Sequence, residues 1–240
     1  MILAQAERPT IRWSWIGENT DKISAAFVEH IQLTVLAVAI GFVIAAPLAV
    51  FAYRNRWFYG PVTWVTGILY TIPSLALFAM LQPYTGLTVR TAEIGLVSYT
   101  LLILIRNIVA ALAGVPADVR EAARGMGYSE RQLLWRVELP LAIPVIMAGV
   151  RLATVTTIGL VTVTALIGLG GLGSFILMGM RIDFVTATLV GSILSLALAV
   201  VVDGALLLLE RRLTPWATSR SGGSDNLGSA QSGTRPKVFA

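Results

Sequence analysis

Charge is in short supply in this sequence. Asp, Glu, Lys and Arg make up 13% of its 240 residues, against roughly 25% in a soluble domain. Cysteine is absent, which excludes a disulfide framework, a thiolate metal site and a thiol nucleophile. Lysine occurs only as Lys22 and Lys237, so arginine carries almost all of the formal net charge of +5. That balance fits orientation in a membrane and lipid contact; it does not by itself imply nucleic acid. Histidine occurs once, as His30. One imidazole with no second ligand nearby is not a metal site, and its place at the mouth of the first apolar run predicts an interfacial residue. No G-x-x-x-x-G-K-[ST] run is present, so this chain does not hold ATP by a P-loop. Energy for any transport would come from another subunit or from an ion gradient. Residues 1–22 carry Glu7, Arg8, Arg12, Glu18, Asp21 and Lys22 and no apolar h-region, so no cleaved signal peptide is expected there.

What is abundant is apolar side chains, at 56% of residues with a mean hydropathy of +0.77. Crossing the hydrocarbon core takes about 20 apolar residues in a helix. Five stretches suffice: 31–53, 59–81, 94–115, 141–166 and 184–209. The expected fold is therefore all-α, a polytopic membrane protein with five transmembrane helices. The expected parts are an extracytoplasmic or interfacial N-terminal segment (1–30), a transmembrane domain (31–213) and a Ser/Gly-rich tail (214–240). The tail lacks the apolar surface to offset its ordering entropy, which predicts disorder. Trp13 and Trp15 suggest a segment resting at the membrane interface. Arginine and lysine favour one side roughly two to one when the N-terminus is outside, by the positive-inside rule. The expected topology is N-terminus outside, C-terminus in the cytoplasm.

One internal stretch, 115–140, holds Arg120, Glu121, Arg124, Glu130, Arg131, Arg136 and Glu138, and this topology places it in the cytoplasm. Pro116 suits a first helical position, and Asp118 and Arg124 complement the helix dipole. Val119, Ala122, Ala123 and Met126 share one apolar face. Gly127 is placed to stop that helix in a left-handed conformation. Ser129 and Gln132 predict a capping box that opens a second short helix, with Pro140 ending the unit. Spacing alone leaves two readings: an amphipathic hairpin on lipid, or a docking element for a cytoplasmic protein. Ala122, Ala123 and Gly127 favour docking, because small side chains allow close approach.

The run Glu121-Ala122-Ala123, then Gly127, then Val137-Glu138-Leu139-Pro140, resembles the EAA-x3-G-x9-I-x-LP loop. That loop belongs to membrane subunits of bacterial ATP-binding-cassette (ABC) importers, and Val137 stands here in place of Ile. "TIPSLALFAML" (71–81), "LIRNIVAAL" (104–112) and "GVRLATVTTIGLVTVTALIGLGGLGSFILMGM" (149–180) are similar to permeases for glycine betaine, choline, carnitine and related osmoprotectants. The methionine-importer permeases share the general plan. The resemblance covers about 32–209. It implies a type I importer permease in the bacterial inner membrane, with no catalytic residues, metal or cofactor of its own. It implies two permease subunits, alike or different, forming the pathway, and cytoplasmic ABC ATPase subunits that bind ATP. An extracytoplasmic solute-binding protein would deliver the substrate, a quaternary ammonium osmoprotectant or proline. Glu121, Ala122, Ala123, Gly127, Leu139 and Pro140 would couple to the ATPase, and Gly168, Gly170 and Gly173 would lie near the outer gate. Whether Glu121 touches the ATPase or shapes its own loop stays open.

Those last glycines also spell G-x-G-x-x-G, a dinucleotide fingerprint. No strand precedes them and no acid follows at the required distance, so a tight turn after the fourth span is the better reading. Arg106, Asn107, Arg151 and Asp203 are polar residues inside spans, where charge usually faces protein or water. An ion pair of Asp203 with Arg106 or Arg151 is possible by depth, and so is a polar pathway lining. Pro47 and Pro73 predict curvature or hinges. Threonines 154, 156, 157, 162 and 164 are expected mainly to bond back to their own helix. Two other classes remain as alternatives: an ion-coupled secondary transporter, and a scaffold that only recruits a cytoplasmic protein.

Overall fold

The computed structural model describes residues 11–216, and all their regular structure is helical. Residues 1–10 and most of the expected tail lie outside the described part. In chain order the α-helices are α1 (Trp13–Glu18), α2 (Thr20–Arg54), α3 (Arg56–Thr71), α4 (Ser74–Thr85), α5 (Val89–Ala113), α6 (Ala117–Gly125), α7 (Glu130–Leu133), α8 (Leu139–Val163), α9 (Gly173–Arg181) and α10 (Val185–Leu213). Four helical stretches, Thr20–Arg54, Val89–Ala113, Glu130–Ile167 and Val185–Leu213, are long and apolar enough to cross a membrane.

The second expected span is not one rod. It breaks between α3 and α4, which meet at 95°. Pro73 is the cause: it has no N–H to donate and it disfavours helical backbone at the residue before it. Ile72 accordingly turns extended, with φ −66° and ψ 125°, and its released carbonyl accepts a bond from Tyr99 Oη on α5. Pro47, by contrast, stays inside α2 without ending it.

Helix α2 is 35 residues long and starts at Thr20, well before the apolar run at Ile31. A stripe of small buried residues, Ala37, Gly41, Ala45, Ala49 and Ala52, lets its most extensive partner, α5, approach closely. A methyl group added at Gly41 would overlap Thr100 of α5, and one at Gly149 of α8 would overlap Asn107 of α5. Within lipid this close packing, more than the hydrophobic effect, holds helices together. Two apolar clusters result. One joins Ala45 and Ala49 to Leu104, Ile105, Ala142 and Ala153. The other joins Leu33 and Ala37 to Phe78, Leu96, Val161 and Ile167.

At the N-terminal end, Trp15 packs edge-on against Phe175 and Phe184, and the Arg12 N–H donates to Thr186 Oγ1 at 2.9 Å. Trp15 therefore binds protein, while Trp13 is exposed. At the other end, Pro140 does not close the charged unit. A π-helical turn, Leu134–Glu138, runs from α7 straight into α8, and Pro140 lies just past that turn inside the continuous helical stretch.

Candidate functional site

Residues 115–140 form the expected helix–Gly–helix element. Gly127 is left-handed, with φ +84°. The Tyr128 N–H bonds to the Ala123 carbonyl at 3.2 Å and the Gly127 N–H to the Arg124 carbonyl at 2.9 Å. This crossed pair is the Schellman stop, which satisfies carbonyls the helix end leaves open. Ser129 and Gln132 form the capping box reciprocally. The charges then fasten the element to the end of α2. Arg120 Nη1 donates to Tyr53 Oη at 2.7 Å, and Tyr53 Oη donates to Glu138 Oε1 at 2.9 Å. Glu138, only 3% exposed, also lies 4.0 Å from Arg120. Arg54 Nη2 donates to the Glu130 carbonyl at 2.7 Å, and Arg124 Nε to Glu130 Oε1 at 3.1 Å. That bond to Glu130 raises the Arg124 guanidinium above its ordinary value.

The six sequence-predicted residues of this element divide by exposure. Glu121, Ala122 and Gly127 face outward, and nothing lies within 4 Å of a methyl group placed at Gly127. Ala123 is 2% exposed, so it packs the element against its own chain. Leu139 and Pro140 are half-buried at the entry to α8. Arg120, Arg124, Glu130 and Glu138 supply the ties, and Glu121 has no described hydrogen bond or ion pair.

At the far end of α8, a 3-10 turn (Thr164–Ile167) leads into the glycine-rich turn. Gly168 and Gly171 take left-handed φ values of +77° and +60°. The Glu29 carboxylate accepts the Gly170 N–H at 3.1 Å and the Gly171 N–H at 2.9 Å. His30 Nδ1 accepts the Leu172 N–H at 3.3 Å, while its Nε2–H donates to the Ile158 carbonyl at 3.1 Å. Both bonds require the neutral imidazole with its proton on Nε2. His30 is fully buried, which corrects the expected interfacial placement. Gly173 opens α9 and lies so close to the Thr162 carbonyl that any side chain would overlap it. Glu29 and His30 thus clasp a turn 141 and 142 residues away. Nothing in the local sequence signalled that contact.

Of the charges inside spans, Arg151 rather than Arg106 pairs with Asp203. Its Nε and Nη2 donate to Oδ1 and Oδ2 at 2.9 Å each, and Nη1 reaches Glu210 Oε2 at 3.4 Å. The Asp203 pair is bidentate, the strongest arrangement for a guanidinium. Asn107 packs against Gly149 and donates to its own helix at the Ile103 carbonyl, 2.8 Å. The α8 threonines 154, 156, 157 and 162, and Thr164 after them, all donate back to preceding carbonyls at 2.7–2.8 Å. Arg106 is exposed on α5 and makes no described hydrogen bond or ion pair. It lines a cleft of about 550 Å³ with Gly60, Thr63, Trp64, Gly67 and Tyr70. The sequence reading passed over Glu93, which is 8% exposed with neither carboxylate oxygen bonded. Among the described residues no group of His, Cys, Asp or Glu is arranged to hold a metal ion.

Comparison with known proteins agrees with this architecture. The chain is 36% identical over 203 residues to the osmoprotectant import permease protein OsmW of Salmonella typhimurium, covering 82% of this chain and 94% of that protein. It is 38% identical over 212 residues to the carnitine transport permease protein OpuCB of Listeria monocytogenes, covering 88% and 97%. In three dimensions it is similar to a chain of the MetNI methionine ABC transporter in an inward-facing conformation. There the TM-score is 0.71 at 24% identity, over 78% of this chain and 93% of that one. Residues 37–215 match the family described as binding-protein-dependent transport system inner membrane component. The chain belongs to that family: it is a multi-pass permease subunit of an ABC importer, a transport protein and not an enzyme.

Proposed function

We infer that this permease and a second permease subunit enclose the pathway for a quaternary ammonium osmoprotectant. The N-terminus lies outside, and the 116–140 element lies in the cytoplasm and docks on an ABC ATPase. A solute-binding protein delivers the substrate at the opposite face. The substrate class rests on what the related permeases are named for. The docking role rests on one observation above all. The element presents Glu121, Ala122 and Gly127 outward while Arg120, Glu130 and Glu138 tie it to Tyr53 and Arg54 of α2, and Arg124 braces Glu130 from within the element. A partner that moves this element therefore moves a membrane-spanning helix with it. Ala123, Leu139 and Pro140 act in coupling as the packed base of the element. Gly168, Gly170 and Gly173 belong to the turn that closes the opposite end, held by Glu29 and His30.

The test is reconstitution of the permease with its ATPase and solute-binding protein in vesicles, reading ATP-dependent uptake of labelled glycine betaine, carnitine and choline. Uptake of at least one solute is expected. Gly127→Asp, which places charge and bulk on the outward surface, is expected to assemble in the membrane and lose that uptake. An assembled wild-type complex that takes up none of the three removes the substrate reading. Undiminished ATP-dependent uptake by the Gly127→Asp variant removes the docking role.

A further inference from the structure

Two faces of this molecule differ in what they can touch. The groove between α2, α8 and α10 is lined by apolar side chains such as Val38, Phe42, Val150 and Leu206, with Thr34 and Thr154 its only hydroxyls. Both hydroxyls already bond back to their own helices. Acyl chains can cover such a surface. The cleft between α3 and α5 cannot be covered that way, because Arg106 opens into it. Arg106 lies about two turns, roughly 10 Å, before the end of α5. A guanidinium at that depth faces water or protein rather than lipid. This cleft is therefore on the pathway or subunit side.

Its lining has a definite chemistry. Arg106 brings a planar donor fork suited to a carboxylate, and no acidic side chain lines the cleft to occupy it. Trp64 is 71% exposed and Tyr70 40%, so both offer ring surface, which attracts quaternary ammonium groups. Tyr70 stacks edge-on with Tyr99 at 5.7 Å, which places it at the level of Tyr99 on α5. Arg106 follows Tyr99 by about two turns, roughly 10 Å along the helix. The cleft is thus cationic at one end and aromatic along its wall. Gly60 and Gly67 leave that wall open, since nothing lies within 4 Å of a methyl group at either position. The volume of about 550 Å³ falls in the range of small-molecule sites.

We propose that this cleft is a transit site for zwitterionic quaternary ammonium solutes, with Arg106 holding the carboxylate and Trp64 receiving the trimethylammonium group. The proposal rests on the pathway reading above and adds to it a carboxylate requirement. Glycine betaine and carnitine carry that carboxylate and choline does not. Uptake thereby depends on Arg106 for the first two more than for the third.

The absence of cysteine makes a direct test possible. A single Gly67→Cys replacement in the full transporter complex can be labelled with a maleimide against a cysteine-free permease background. Glycine betaine is expected to slow labelling at least threefold, choline much less, and Arg106→Met in the same chain is expected to abolish protection by glycine betaine. The Trp64→Leu variant, with Arg106 kept, is expected to weaken protection by both solutes, and it stands in if Arg106→Met does not assemble. Protection that survives Arg106→Met, protection by choline equal to that by glycine betaine, or Trp64→Leu without effect overturns the proposal. Labelling that responds to the anionic lipid content of the vesicle, and not to solute, assigns the cleft to a lipid headgroup and also overturns it. If the wild-type complex transports no quaternary ammonium solute, the underlying pathway reading fails instead, a result read from uptake and not from labelling.

Discussion

Arg106 and Arg151 are two guanidinium groups inside membrane-spanning helices, and their surroundings are opposite. Arg151 is enclosed between α8 and α10 by Asp203 and Glu210. Arg106 lies open in a cleft with no described acidic partner. A charge in a span has two ways to persist: it is neutralised by protein, or it is kept wet. The same residue type is thus neutralised between two helices in one place and left open in a cleft in the other.

Four substitutions separate these roles, read as the amount of complex recovered in detergent and its thermal midpoint. Arg151→Met is expected to have the largest effect, a several-fold fall in folded complex, because it strands two carboxylates between helices. Asp203→Asn comes next. It removes the charge of the bidentate partner, yet keeps one acceptor oxygen for Arg151. Glu210→Gln is expected to cost less again, since its contact is longer, 3.4 Å against 2.9 Å. Arg106→Met is expected to leave recovery and midpoint close to wild type, because no ion pair is lost. A fall with Arg106→Met as deep as that with Arg151→Met would erase the distinction. Equal effects of Asp203→Asn and Glu210→Gln would mean that net charge, and not bond geometry, holds α8 to α10.

Local chemistry was legible in the sequence. Gly127 as a helix stop, the Ser129–Gln132 capping box and the inward-bonded threonines of α8 follow from interactions within a few residues. The positions of α5 and α10 follow from apolar length. Family membership was legible through the spacing of Glu121, Gly127 and Pro140. Contacts between distant segments left no such trace. Glu29 and His30 carry no periodic signal that points to Gly170, Gly171 and Leu172. The two prolines inside spans looked alike, yet Pro47 continues its helix and Pro73 breaks one. At Pro73 the released Ile72 carbonyl accepts a bond from Tyr99 of another helix, a contact that no local signal announces. Pro140 misled because a π-turn, Leu134–Glu138, carries the chain on into α8.

Helix α2 is fastened near both ends. Glu29 and His30 hold the glycine-rich turn, and Tyr53 and Arg54 hold the charged element. Glu29 and Arg54 are separated by roughly 38 Å of helix. The helix is in this sense a connecting rod, and simple lever geometry applies to it. A tilt of about 5° about one fastening would carry the other by roughly 3 Å over that length. That is as long as a hydrogen bond, enough to part the Glu29 carboxylate from the peptide N–H groups it grips. The rod needs no change of shape to send a push from one side of the membrane to the other.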